Sequence, residues 1–218
     1  MSVRLASKTV RSVGRPADVE LQERRRGQIL DAATSVFATQ GFATADVLEI
    51  ANKTGVGKGT IYRYFASKEE LFLAAVDHGM RNLKLAVDAA AASAKQPLDR
   101  IAEGVLAYLT FFDERPEIVE LLVQERANFR DRQRPTYFVH REANMGPWQD
   151  LFGELIRSGT FRDIPVDRIG DVISDLLYGM MFTNYFAGRK ASPANQCKDA
   201  LDILFHGLLA DSKRGSHE

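Results

Sequence analysis

Lys58, Thr60, Arg63 and Tyr64 set two cations and two hydroxyl groups within one short stretch. A lysine or arginine can donate to guanine O6 and N7, a threonine can meet a thymine methyl or a phosphate, and a tyrosine suits phosphate. All four fall in the stretch from Asp46 to Lys68, DVLEIANKTGVGKGTIYRYFASK. Val47, Ile50 and Ala51 lie at i, i+3 and i+4, one apolar stripe of a first short helix. Asp46 before it and Glu49 three residues later form the reciprocal pattern that starts helices. Gly55 can take the left-handed conformation that ends this helix and turns the chain. A second helix follows from about Lys58 to Phe65, with Ile61 and Phe65 as its apolar side. This is a helix-turn-helix by pattern, with a second helix able to enter a DNA major groove.

The glycines invite other readings, which the spacing excludes. A Walker loop needs Ser or Thr directly after Lys58, where Gly59 stands, and Gly where Asn52 stands. A dinucleotide fingerprint fails because Thr60 occupies its third glycine position. His78, His140, His206 and His217 are isolated from one another and from Cys197, with no HExxH, paired metal-ligand spacing or nucleophile elbow. No catalytic residue, metal or cofactor is therefore expected, and His140 with Glu142 reads as a helix surface.

The 218 residues can bury a real core. Apolar content of 45% and charged content of 27% are those of a soluble globular protein. One cysteine rules out an internal disulfide framework and suits a cytoplasmic location. No signal peptide or membrane-spanning run is recognisable. Net charge is zero, but residues 1–70 carry eleven basic against eight acidic side chains and the remainder eighteen against twenty-one. A mildly basic head on a mildly acidic body fits a DNA-reading module joined to a domain with another task.

Ile29, Ala32, Ala33 and Phe37, then Gly41-Phe42, Ile50-Ala51, Gly55-Val56, Gly59-Thr60-Ile61-Tyr62, Phe65 and Ser67-Lys68-Glu69 share one register. Over roughly residues 22–80 the chain resembles the N-terminal domain of the TetR family of transcription regulators. That resemblance puts Lys58, Gly59, Thr60, Tyr62, Arg63, Tyr64 and Lys68 at the family's DNA-contacting positions. Two features depart from it. Ala45-Asp46 replaces the usual pair of hydroxyl residues, where Asp46 caps well but repels phosphate, and Gly57 replaces a common serine cap.

The expected fold is all-α, with nine or ten helices. Residues 1–18 read as a disordered basic tail, 19–80 as a three-helix helix-turn-helix domain, 81–212 as a larger helical effector-binding and dimerisation domain, and 213–218 as a second tail. Arg24, Arg25 and Arg26 open the first helix and could also face phosphate. Ser67-x-x-Glu70 starts a long helix running to about Ala92, which joins head to body as a lever. Gly146-Pro147 should split the helix expected between Pro135 and Ser158.

The last two helices carry apolar residues around so much of their girth that two sides must be covered. Ile169, Val172, Ile173, Leu176 and Met180 make one stripe, Leu177, Met181 and Tyr185 another, and Leu201, Ile203, Leu204, Phe205, Leu208 and Leu209 behave alike. A homodimer built on these helices is the reading, as the family resemblance also implies. The resemblance further implies an effector pocket among the central helices, for whose wall Tyr108, Phe111, Phe112, Trp148, Phe152 and Tyr178 are the candidates. Few charged residues fall on apolar faces, which favours a neutral or weakly polar, aromatic or lipophilic effector. Together these expectations describe a repressor released from a palindromic double-stranded operator by a small molecule. The alternative is a dimeric helical small-molecule-binding or scaffold protein whose head does not read specific DNA.

Overall fold

Each element of the head begins and ends where the local chemistry requires. In the computed structural model, which describes residues 16–188 and 191–207, the chain is all-α. The described residues form ten helices. The head consists of α1 (Pro16–Gln40), α2 (Val47–Thr54) and α3 (Lys58–Tyr64). The Asp46 carboxylate accepts the Leu48 N–H at 2.8 Å and so caps α2. Glu49 does not reach back to complete the reciprocal cap; it accepts instead from the Gln40 amide. Gly55 closes α2 at φ 66°, and the Val56 N–H returns to the Ala51 carbonyl at 3.0 Å. A side chain there would be held in the left-handed region that L-residues avoid.

α1 starts at Pro16, inside the segment read from sequence as tail. Proline fits a first helical turn because its missing N–H would have no partner there, and the polar run that follows continues the helix. Arg24, Arg25 and Arg26 consequently sit in mid-helix rather than opening it. Two of them hold the head together: the Arg25 Nη1 donates to the Thr54 carbonyl at 3.4 Å, and the Arg26 guanidinium lies 5.2 Å from the centre of the Phe65 ring. Residues 1–15 and 208–218, including Leu208, Leu209, most of the first expected tail and all of the second, lie outside the described residues.

Ile29, Leu30, Ala33, Val36 and Phe37 of α1 pack with Ile50, Ala51 and Ile61 as a core closed to water. α4 (Lys68–Ser93) roofs this core with Phe72, Ala75 and Val76 and runs on into the body. Its start is capped from both directions: Ser67 Oγ accepts the Glu70 N–H at 3.0 Å, and the Glu70 carboxylate reaches one residue past the cap to accept the Ala66 N–H at 2.7 Å.

The body is α5 (Pro97–Glu114), α6 (Pro116–Asn128), α7 (Thr136–Asn144), α8 (Gly146–Arg157), α9 (Val166–Ala187) and α10 (Pro193–His206). The expected split at Gly146-Pro147 is the α7–α8 junction. α4 packs chiefly on α5 and α1, and α5 in turn on α10 and α9. Gln124 of α6 fastens the head to the body. Its Oε1 accepts the Phe42 N–H at 2.9 Å, and its Nε2 donates to the Phe37 carbonyl at 2.9 Å and to Glu120.

Candidate functional site

Burying one side of α3 forces its other sides outward. Ile61 is fully buried, so Lys58, Gly59, Tyr62 and Arg63 are exposed, while Thr60, Tyr64 and Lys68 are half-buried. Their surroundings differ. Lys58 lies 3.6 Å from the Asp46 carboxylate. Lys68 donates to the Ala43 carbonyl at 3.0 Å and stands over the Phe42 ring. The Leu48 N–H, and beyond it the ammonium groups of Lys58 and Lys68, hold the Asp46 carboxyl below the usual carboxylate range. Its contribution to the start of α2 is therefore present at neutral pH and is lost only as pH falls through that lowered value. Gly57 offers α3 no side-chain cap.

The second feature is a cavity of about 150 Å³ in the body, walled by α4, α5, α7, α8 and α9. Tyr108, Trp148 and Phe152 of the sequence candidates line it. Phe111, Phe112 and Tyr178 do not. Phe111 packs edge-on against Phe112 with the Arg115 guanidinium 4.9 Å from its ring centre. Phe112 meets Tyr108 from behind, and Tyr178 packs on Tyr137, Phe138 and Phe182. Trp148 can lie flush with α5 because Gly104 has no side chain; a Cβ there would come within 2.5 Å of the indole.

Sequence reasoning missed the α7 side of the wall. The Glu125 carboxylate, almost wholly buried, accepts both the backbone N–H (3.0 Å) and the hydroxyl (2.8 Å) of Thr136. It caps α7 from another helix, since Pro135 supplies no side-chain cap. So anchored, α7 turns Tyr137, His140, Arg141 and Asn144 toward the cavity. Contrary to the expectation of a helix surface, His140 is largely withdrawn from water, with 15% of its side chain exposed. Its Nε2 meets the Asp77 carboxylate at 2.7 Å, whereas Glu142 faces out to Arg134. Lys84 and Asp88 complete a wall more polar than the helical pattern suggests. At its inner edge the Tyr108 and Tyr137 hydroxyls hydrogen-bond at 2.9 Å. Burial pushes Tyr108 well above its ordinary value and Tyr137 up to about 12, so both remain protonated at neutral pH. Such hydroxyls can orient a ligand but cannot act as bases. Among the described residues no group of His, Cys, Asp and Glu is placed to hold a metal.

The third feature is an uncovered apolar face on α9 and α10. Ile169, Met181 and Leu201 are buried, but Val172, Leu176, Phe186 and Ile203 are exposed to 53%, 37%, 67% and 50%. Among the described residues no helix is long and apolar enough to cross a membrane.

Residues 29–75 match the family described as bacterial regulatory proteins, tetR family. The uncharacterized HTH-type transcriptional regulator YfiR of Bacillus subtilis is 32% identical over 206 residues, spanning 89% of this chain and 97% of YfiR. The chain belongs to the TetR family. The HTH-type transcriptional regulator HbdR of Aromatoleum is 28% identical over 129 residues, 59% of this chain and 56% of HbdR, so this match spans little more than half of that relative. In fold, this TetR-family chain is similar to FadR from Bacillus subtilis in complex with stearoyl-CoA. The TM-score is 0.71 and the identity 20%, over 84% of this chain and 98% of FadR.

Proposed function

We propose that this TetR-family protein is a ligand-responsive transcriptional regulator that binds a near-palindromic operator as a two-fold pair, a repressor released when a lipophilic or aromatic effector fills the body cavity. The observation that carries this reading is the outward face of α3, on which Lys58, Gly59, Tyr62 and Arg63 are exposed around a fully buried Ile61. Arg63 and Lys58 read guanine edges, and Thr60, Tyr62, Tyr64 and Lys68 serve thymine methyls and phosphates. The bare face of α9 and α10 meets its copy in the pair. The division into a reading head and a sensing body falls near residue 80, inside α4, which carries movement between them. FadR, whose structure is in complex with stearoyl-CoA, supports an effector with a long apolar chain for a cavity framed by aromatic rings.

Two reading helices must sit about 34–36 Å apart to dock together on one face of a duplex. An effector that favours a body conformation with another spacing releases the DNA, and a coupling of about 1–3 kcal/mol changes affinity roughly 5- to 150-fold. The Asp46–Lys58 pair favours a second reading, in which the head no longer recognises specific DNA, because it offsets one of the charges α3 offers. One titration separates the two: wild-type protein should prefer DNA immediately upstream of its own gene to random DNA of equal length, and equal affinity for both would overturn the reading. Asp46→Asn keeps a good helix cap while removing the anion. It should raise operator affinity severalfold in the same titration, and unchanged affinity would place Asp46 away from the phosphates.

A further inference from the structure

Among the described residues Arg141 is the one arginine of the cavity wall, and it is bonded on both of its terminal nitrogens. Its Nη2 meets Asp171 at 2.8 Å and its Nη1 meets Asp175 at 3.1 Å, tying α7 to α9. These bonds use two of the five N–H donors of a guanidinium. Arg141 is largely withdrawn from water, with 21% of its side chain exposed, whereas the two aspartates are 70% and 72% exposed. Either carboxylate can turn into solvent at little cost; the guanidinium, packed in the wall, cannot follow. The other charged groups of the wall have partners close by: Lys84 with Asp88, and His140 with Asp77. The wall also holds Tyr137, one helical turn back on α7, and Ile173, Ser174 and Leu177 of α9.

Resting on the reading of this cavity as the effector site, we infer that the effector carries an anionic head, which docks on Arg141 and displaces Asp171 and Asp175, while its apolar body lies among Trp148, Phe152 and Val105. An anion arriving from the cavity meets a cation already stripped of much of its water, and charge-assisted hydrogen bonds to a guanidinium are roughly twice as strong as neutral ones. Neutralising Arg141 from inside unties α7 from α9, the helix that bears the uncovered apolar face. Binding of the head thereby reaches the surface on which the pair is built. The head group replaces the neutral one expected from sequence.

Trp148 is the only tryptophan and lines the cavity, so its emission reports occupancy directly. Octanoate, octyl phosphate and octan-1-ol are titrated against the full-length protein at neutral pH. At least one anion should bind about tenfold or more tighter than the alcohol, as a charged hydrogen-bond partner requires, and the anion that gains more names the head. Arg141→Gln should erase that advantage while leaving octan-1-ol within about twofold of wild type, since apolar burial is unchanged. Because Arg141→Gln also removes a helix tie, the double variant Asp171→Asn/Asp175→Asn supplies the opposite sign: it removes the competitors and should tighten the anion. A purely structural role for the triad would make both variants weaken every ligand alike, which would overturn the inference. Equal binding of anion and alcohol to wild type would overturn it too while leaving the effector cavity standing. If none of the three compounds perturbs Trp148, the cavity reading itself falls.

Discussion

Phe72→Ala should cost about 3–5 kcal/mol of stability, the range for emptying a large aromatic site in a core. The ring is fully buried and is the meeting point of four aromatics. Its centre lies 5.1 Å from that of Phe37 on α1, 5.2 Å from that of Phe42 in the following turn and 5.4 Å from that of Phe129 at the end of α6. Head and body share this cluster, so the cavity would open at their junction rather than within either one. At roughly 2–4 °C per kcal/mol for a chain of this size, thermal unfolding should fall by roughly 6–20 °C. Phe72→Leu, which keeps most of the volume, should lose far less. A loss below about 1 kcal/mol for the alanine variant would mean that the junction repacks and that the cluster does not hold the head in place.

The second large effect belongs to Arg63. Its side chain is exposed on the face of α3 opposite the buried Ile61. If it reads a base edge, Arg63→Ala should remove about 1–3 kcal/mol at each contact. A two-fold pair makes the contact twice, so operator affinity should fall by at least about 30-fold, from the lower end of that range. Binding to random DNA should fall much less, because phosphate contacts position the protein without reading sequence. The preference for operator should therefore collapse while circular dichroism and melting temperature stay near wild type. An intact preference in the variant would remove Arg63 from the base-reading set.

How much of this could be read in advance follows from where each signal resides. Helices are local, and their starts and ends were legible: Asp46, Gly55, Ser67 and Gly146-Pro147 each sit at a boundary. The outward face of α3 was equally legible, since Ile61 and Phe65 leave only one way to turn it. The start of α1 was missed because Pro16 and the polar residues after it carry no apolar periodicity, yet nothing in them opposes a helix. The α7 wall was missed for a different reason. His140 and Arg141 look like a solvated face until α4 and α9 bring Asp77, Asp171 and Asp175 to them from 63, 30 and 34 residues away. Gln124 gives no local signal either, because its partners at Phe37 and Phe42 are 87 and 82 residues distant. Aromatic candidates divided similarly: Tyr108 and Phe112 share a helix and a stripe, but only the first reaches the cavity. Helical spacing places side chains on a face and does not say what that face will meet.

The proposed function rests on α3 reading DNA as one of a matched pair. Its most direct test is a fluorescence-anisotropy titration of wild-type protein on labelled DNA from immediately upstream of its own gene, against random DNA of the same length, from about 50 to 200 mM salt. Binding to the upstream DNA should be tighter at every salt concentration, with log affinity falling linearly against log salt by about 0.9 for each phosphate neutralised. Equal affinity for the two DNAs, or an affinity indifferent to salt, would contradict it.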